Sequence, residues 1–390
     1  MSTDKRGFPV AEFRTRLANA QQMMAKAGLD ALLLTTEPEV RYFTGFLTRF
    51  WESPTRPWFL VVPAQSAPIA VIPSIGRQLM QQTWINDIRT WCSPSPDDDG
   101  ISLLADALHE CIGDHGRIGM PMGHESSLRM PLADFHKLTT LLAPVNFTSA
   151  ADILRQLRMV KSDAEIAKIK TACTIADRAF KRVNEIAGPD TPLDEIFRRF
   201  QILCLEEGAD WVAYLAGGAG QSGYGDVISP ATPARLRPGD ILMLDTGLVW
   251  DGYFCDFDRN FSIGPPTKAA ATGHARLIEA VDAAMHIIKP GIAACEVFHA
   301  MDNVTTGGKS GGKDGSDAGR LGHGLGMQLT EWPSFTPQDK TILKKNMVLT
   351  LEPNVQTASG RIMVHEENIV VTANGARFLS EPAGPELEVL

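Results

Sequence analysis

The run LDTGLVWDGYFCDFDR, residues 244–259, sets three aspartates on two β-rich stretches joined by Asp251-Gly252. An Asp-Gly pair between such stretches signals a two-residue hairpin. If Trp250 pairs with Tyr253, Gly247 falls opposite Asp256 and Asp245 falls opposite Asp258. Cross-strand partners share a face, so Asp245, Asp256 and Asp258 are expected to point the same way, with a gap at Gly247. Three clustered carboxylates repel one another unless a cation sits among them. A solvated outer face would also tolerate them, but Leu242, Leu244, Tyr253, Phe254 and Phe257 make these strands too apolar for that. The chemistry this stretch predicts is metal binding.

Three further residues have the right chemistry. In GHGLGMQLTEWPSF (322–335), His323 is a side chain able to bind a metal or carry a proton. MVLTLEPN reads as a buried strand ending at Glu352, and RIMVHEENIVV as a strand carrying Glu366 and Glu367. On the latter, Val364, Glu366 and Asn368 share one face, while His365 and Glu367 share the other. With Glu366 inward, His365 is expected to be structural or exposed.

The elements that must position these residues are legible in outline. Phe13, Leu17, Ala20 and Met24 recur at helical spacing, with Gly28 where a C-terminal cap belongs. Ala31–Leu34, residues 58–62 and residues 69–72 read as strands alternating with helical stretches such as 101–112, a small α/β domain ending near residue 150. Ser162-Asp-Ala-Glu165 is a capping box that opens a helix bearing Ile166, Ile169, Cys173, Ala176 and Phe180 on one face. From there the order helix, helix, strands occurs twice. GPDTPLDEIF (188–197) and KPGIAACEVF (289–298) share Pro189/Pro290, Glu195/Glu296 and Phe197/Phe298 at one offset, which favours a duplicated half-domain. The Gly-rich run 305–320 lacks the glycine spacing of a phosphate-binding loop, having Asn303 where the first Gly belongs, and is expected to be a surface loop.

The chain of 390 residues is 44% hydrophobic and 21% charged, enough for two or three domains. A net charge of −9 without a dense Lys/Arg run argues against nucleic acid or an anionic membrane as partner. The first residues lack an apolar signal core and no stretch is long and apolar enough to span a bilayer, so a cytoplasmic protein is expected. Six scattered cysteines without a CxxC pair read as reduced, mostly buried thiols.

Asp245, Asp256, His323 in Gly-His-Gly, Glu352 in Leu-Glu-Pro and Glu366, in that order, resemble the metal ligands of the pita-bread superfamily of creatinase, Xaa-Pro dipeptidase and methionine aminopeptidase. GLDALLLTTEPEVRYFTGF (28–46) resembles the N-terminal domain of its creatinase–prolidase branch, and LRQLRMVKSDAEIAKIKTA that branch's linker helix. The resemblance implies an α+β chain: a smaller α/β N-terminal domain over residues 1–152, then a pita-bread catalytic domain over 153–390 with a pseudo-twofold helix–helix–strand repeat. It further implies two divalent metal ions, with Mn, Co, Zn or Fe as occupants suited to carboxylates and one imidazole. Asp245 would hold one ion, His323 and Glu352 the other, and Asp256 and Glu366 would bridge. Water between two cations loses a proton near neutral pH and becomes a nucleophile, and Glu352 could relay the proton.

The departures matter equally. Family peptidases carry a histidine near the position of Ile228, a second one where Thr330 stands, and often an arginine where Val364 stands. Their loss predicts a hydrolase of an amide or related C–N bond in another small polar substrate, rather than an ordinary Xaa-Pro dipeptidase. Tyr224, Asp226, Thr330 and Asp258 are candidate replacements. In this branch the N-terminal domain of a second subunit often roofs the site, so a homodimer is expected. Trp51 and Trp58 could then cage a cationic group, and Arg49 or Arg56 could grip a carboxylate. Alternatives are a lyase of the dimethylsulfoniopropionate-lyase kind, a metal-free creatinase-like or ectoine-hydrolase-like enzyme, and a non-catalytic binding module. Retention of all five ligands disfavours the last two.

Overall fold

Phe13, Leu17, Ala20 and Met24 form the buried stripe of α1 (Val10–Ala27), and Gly28 closes the helix in the left-handed region at φ 64°. The computed structural model describes residues 5–53, 56–308, 319–357 and 360–390. Most of the Gly-rich run (309–318) lies outside the described residues, so its expected surface-loop character is not described. The chain divides into two compact units, 5–158 and 159–390.

The first unit is built on one six-stranded sheet of β1 (Ala31–Leu34), β2 (Phe59–Pro63), β3 (Ile69–Pro73), β4 (Asp87–Trp91), β5 (Arg117–Met120) and β6 (Asn146–Ser149), ordered β4-β3-β2-β1-β5-β6. β1, β2 and β3 pair antiparallel, whereas the β3–β4, β1–β5 and β5–β6 pairs are parallel. The central strands are buried along their whole length, because helices such as α4 (Ile101–Ile112) pack their apolar faces on the sheet. Between α1 and α4 lie α2 (Glu37–Thr44) and α3 (Arg77–Met80), and after α4 come α5 (Leu132–Leu141) and α6 (Ala151–Met159).

The second unit is an α+β fold in which the expected element order does occur twice. α7 (Asp163–Phe180), opened by the Ser162/Glu165 capping box, and α8 (Leu193–Glu206) precede β7 (Trp211–Gln221), β8 (Asp240–Trp250), β9 (Tyr253–Phe254) and β10 (Phe257–Ser262). α9 (Lys268–Ile287) and α10 (Ala294–Thr305) then precede β11 (His323–Gly324), β12 (Glu331–Ser334), β13 (Val348–Leu351), β14 (Asn354–Gln356), β15 (Ile362–Val364), β16 (Glu367–Val371) and β17 (Ala376–Phe378). The first sheet runs β18-β10-β8-β7, with β18 (Glu388–Val389) at its edge and β9 paired to β8; the second runs β12-β11-β13-β16-β17. Val297, Phe298 and Met301 of α10 fill the core against Leu349, Leu351, Ile369 and Val371. Among the described residues, no helix is long and apolar enough to cross a membrane, and all six cysteines are free thiols.

Candidate metal centre

β8 is buried at every position and carries Asp245 into the centre of the second unit. Trp250 pairs with Tyr253 across the hairpin, and on β10 Asp258 stands opposite Asp245, so the register follows the sequence expectation. Asp256 lies in the short break between β9 and β10, where no ladder fixes its backbone. The Asn368 amide does so instead: its Oδ1 accepts from Asp256 N at 2.9 Å and its Nδ2 donates to Asp256 O. Gly247 leaves room here for Leu329, whose terminal Cδ1 would be overlapped by an added Cβ and would have to shift.

His323 arrives from the second sheet. Gly322, at φ 128°, lets the chain press against Thr350, where any Cβ would meet the Thr350 carbonyl. A bulge between His323 and Gly324 then turns the imidazole inward. His323 N donates to Thr350 Oγ1 at 3.2 Å, and Nδ1 lies 2.8 Å from the Gly324 carbonyl. Nε2 lies 2.9 Å from Glu352 Oε1 and 3.4 Å from Asp256 Oδ2. The Thr350 hydroxyl in turn donates to Glu352.

Two overlapping triads result, Asp256–His323–Glu352 and Asp245–Asp256–Glu366, each with its ligand atoms within 4.8 Å of one another. Asp256 belongs to both. Burial, reinforced by the neighbouring carboxylates, pushes Asp245, Asp256 and Glu366 well above the usual carboxylate range. Glu352 is the exception: burial opposes its charge, but His323 and the Thr350 hydroxyl prevail and hold it at about 2. Asp245 Oδ1 is buried and, among the described residues, has no hydrogen-bond partner. Oxygen-rich donors with one imidazole, mutually repelling and with an unsatisfied oxygen among them, fit divalent ions of the Mn, Co, Zn or Fe kind.

Asp258 is fully buried but occupied elsewhere. Its Oδ1 accepts from Glu366 N at 2.8 Å and its Oδ2 from Asn260 Nδ2 at 3.2 Å. His365 lies 3.5 Å from Asp258 Oδ1 and 3.2 Å from Glu367 Oε1, buried between the two acids on the side away from the cluster. Of the two readings offered for it, structural or exposed, it is structural.

The remaining sequence candidates lie as follows. Tyr224 is buried; its hydroxyl accepts from Val364 N at 2.6 Å and donates to Asn260 Oδ1 at 3.2 Å, a tie between strands. Asp226 is exposed and caps its own turn, accepting from Ile228 N and from Ser229 N and Oγ. Thr330 Oγ1 accepts from Arg320 Nη2 at 3.2 Å. In the first unit, Trp51 and Trp58 are buried against each other and Phe46. Arg49 pairs with Glu52 on the surface, and the Arg56 guanidinium lies over Phe50.

Several contributors escaped the sequence reading. Tyr214, on β7 opposite Gly247, shares a hydrogen bond with Asp245, and Arg320 places its charge near Asp256 and Glu352. Glu331 accepts from Met327 N at 3.0 Å and Gln328 N at 3.2 Å and pairs with buried Lys161 at 3.0 Å, fixing the turn that carries Leu329 and Thr330. For Asn368 a signal did exist, its position on the same strand face as Glu366.

A fold of two helix–helix–strand halves closing over two acidic triads with a shared aspartate defines a metal-dependent hydrolase of the Xaa-Pro peptidase-like superfamily. Residues 167–373 match the profile described as "Metallopeptidase family M24", and residues 16–160 match "Creatinase/Prolidase N-terminal domain". The chain belongs to metallopeptidase family M24, in the creatinase–prolidase branch of the pita-bread superfamily. It is 29% identical over 374 residues to "Probable dipeptidase PepE" of Mycobacterium tuberculosis, covering 95% of each chain. It is 26% identical to "Xaa-Pro dipeptidase" of Pyrococcus horikoshii, covering 92% of this chain and 95% of that one. The solved dipeptidase PepE of Mycobacterium ulcerans superposes with a TM-score of 0.82 at 27% identity, over 98% of this chain and 99% of the other.

Proposed function

We propose that this enzyme hydrolyses the amide bond of a dipeptide or a comparably small polar C–N substrate. The observation that carries this reading is the pair of triads joined through Asp256, with one oxygen of Asp245 unpartnered among the described residues. Asp245, Asp256 and Glu366 would hold one divalent ion and Asp256, His323 and Glu352 the other. Two such ions supply Lewis-acid activation of water and of the scissile carbonyl.

The chain's own groups then orient and move protons. Glu352, kept ionised by His323 and Thr350, accepts a proton at its carboxylate and returns it to the leaving nitrogen. Leu329, seated over Gly247, sets an apolar wall beside the carboxylates that limits water. The named relatives, a probable dipeptidase and an Xaa-Pro dipeptidase, support amide cleavage. Thr330, Val364 and Ile228, standing where family peptidases have histidine or arginine, support a substrate other than the ordinary Xaa-Pro dipeptide. A homodimer in which the N-terminal domain of one subunit lies near its partner's site is part of the same proposal.

The test is a substrate panel with Mn²⁺-loaded and chelated protein: Xaa-Pro dipeptides, non-prolyl dipeptides, N-acyl amino acids and dimethylsulfoniopropionate. Metal-dependent cleavage of a non-prolyl amide is expected. Rapid Xaa-Pro turnover would overturn the substrate reading, and release of dimethyl sulfide without amide cleavage would make the enzyme a lyase.

A further inference from the structure

Arg320 stands three positions before His323, and its carbonyl neighbour Leu321 accepts the Glu352 backbone N–H at 3.1 Å. The segment bearing the arginine is thereby tied to the strand end that bears a candidate ligand. The guanidinium is half-buried and donates from Nη2 to Thr330 Oγ1 at 3.2 Å. Among the described residues it forms no ion pair, although a guanidinium has five N–H donors. Its charge nonetheless lowers the carboxyls of both Asp256 and Glu352, so it lies at the edge of the cluster without neutralising any member.

We propose that Arg320, aimed by Thr330, determines specificity by receiving a carboxylate of the substrate. The inference rests on the amide-hydrolase reading of the same site. The electrostatics favour an anion there. Four ligand carboxylates, Asp245, Asp256, Glu352 and Glu366, would balance the formal charge of two divalent ions, and among the described residues no carboxylate pairs with the arginine. The fork of a guanidinium matches a carboxylate bidentately, while a lysine offers only a point charge. Thr330 has a specific part in this. A histidine at that position would add a second donor, whereas the threonine oxygen accepts from Nη2 and fixes the plane of the fork. Glu331, braced by Lys161, holds the threonine's turn in place.

The test is a binding measurement on full-length, Mn²⁺-loaded protein that requires no turnover. The probes are a non-prolyl pseudodipeptide, alanyl-leucine with its amide reduced to a methylene-amine, and the same compound with a terminal carboxamide. The acid is expected to bind about tenfold or more tightly than the carboxamide, as for a charge-assisted pair. Arg320→Met should abolish that preference by weakening the acid alone, with metal content unchanged. Arg320→Lys should restore part of it, and Thr330→Val should lower it. Equal affinities in the unaltered protein, no binding of either probe, or a preference that survives Arg320→Met would overturn the proposal. If Arg320→Met does not fold, Arg320→Lys and Thr330→Val decide, and an unchanged acid preference in both overturns it. An acid preference lost in Arg320→Met together with no hydrolysis of any panel substrate would sink the hydrolase reading and leave the arginine's role standing.

Discussion

Asp258 lies directly across the ladder from Asp245, and both carboxylates are buried, yet only Asp245 enters a ligand triad. Asp258 has its oxygens engaged by Glu366 N, Asn260 and His365, so it steers a ligand without being one. Asp258→Ala is therefore expected to weaken metal binding by about 10–100-fold while leaving the full complement at saturating metal. Asp245→Ala should lose an ion outright. Equilibrium dialysis with Mn²⁺ distinguishes the two, and equal stoichiometric loss in both variants would contradict this division.

Because Asp256 belongs to both triads, Asp256→Ala should reduce bound metal at both positions, whereas His323→Ala should spare the triad of Asp245, Asp256 and Glu366. Elemental analysis of the purified variants reads this directly. Full metal content in Asp256→Ala would remove the shared-ligand geometry.

The raised carboxyls give the metal-free protein a pH dependence of definite sign. Asp245, Asp256 and Glu366 hold protons more tightly when folded than the roughly 3.9–4.3 of free carboxyls. Their contribution to stability is complete below about pH 4 and is lost as pH rises through their folded values. Glu352, at about 2, has the opposite sign and loses its contribution only on acidification toward that value. Chelated protein should therefore melt at lower temperature at about pH 8 than at about pH 5, and Mn²⁺ should stabilise it more at the higher pH. Calorimetry of both forms checks this. A chelated protein that gains stability across that interval would show the carboxylates to be ionised without metal.

Gly247 and Leu329 make a steric pair across the gap in β8. Gly247→Ala should destabilise by about 1–3 kcal/mol through overpacking. Adding Leu329→Ala should recover much of that loss, since the two changes touch one space. Denaturant unfolding of the single and double variants gives the coupling, and strict additivity would place Leu329 elsewhere.

The hairpin and its aspartates were legible because strand periodicity and the Asp-Gly turn act locally. Alternation along 362–371 likewise separated Glu366 from His365, although the strand breaks between β15 and β16. What the sequence hid depends on approach between distant segments. Tyr214 meets Asp245 across a ladder with a bulge, and Arg320 reaches Thr330 through the turn that Lys161 and Glu331 brace from outside it. Tyr224 shows the converse: a hydroxyl near the right part of the chain is taken up by Val364 and Asn260.

Catalysis by a two-ion centre is tested most directly by measuring amide hydrolysis against Mn²⁺ bound per subunit, starting from chelated protein. Activity should be absent without metal, rise with occupancy, and level off at about two ions, one for each triad. Full hydrolysis by protein holding no metal would contradict it.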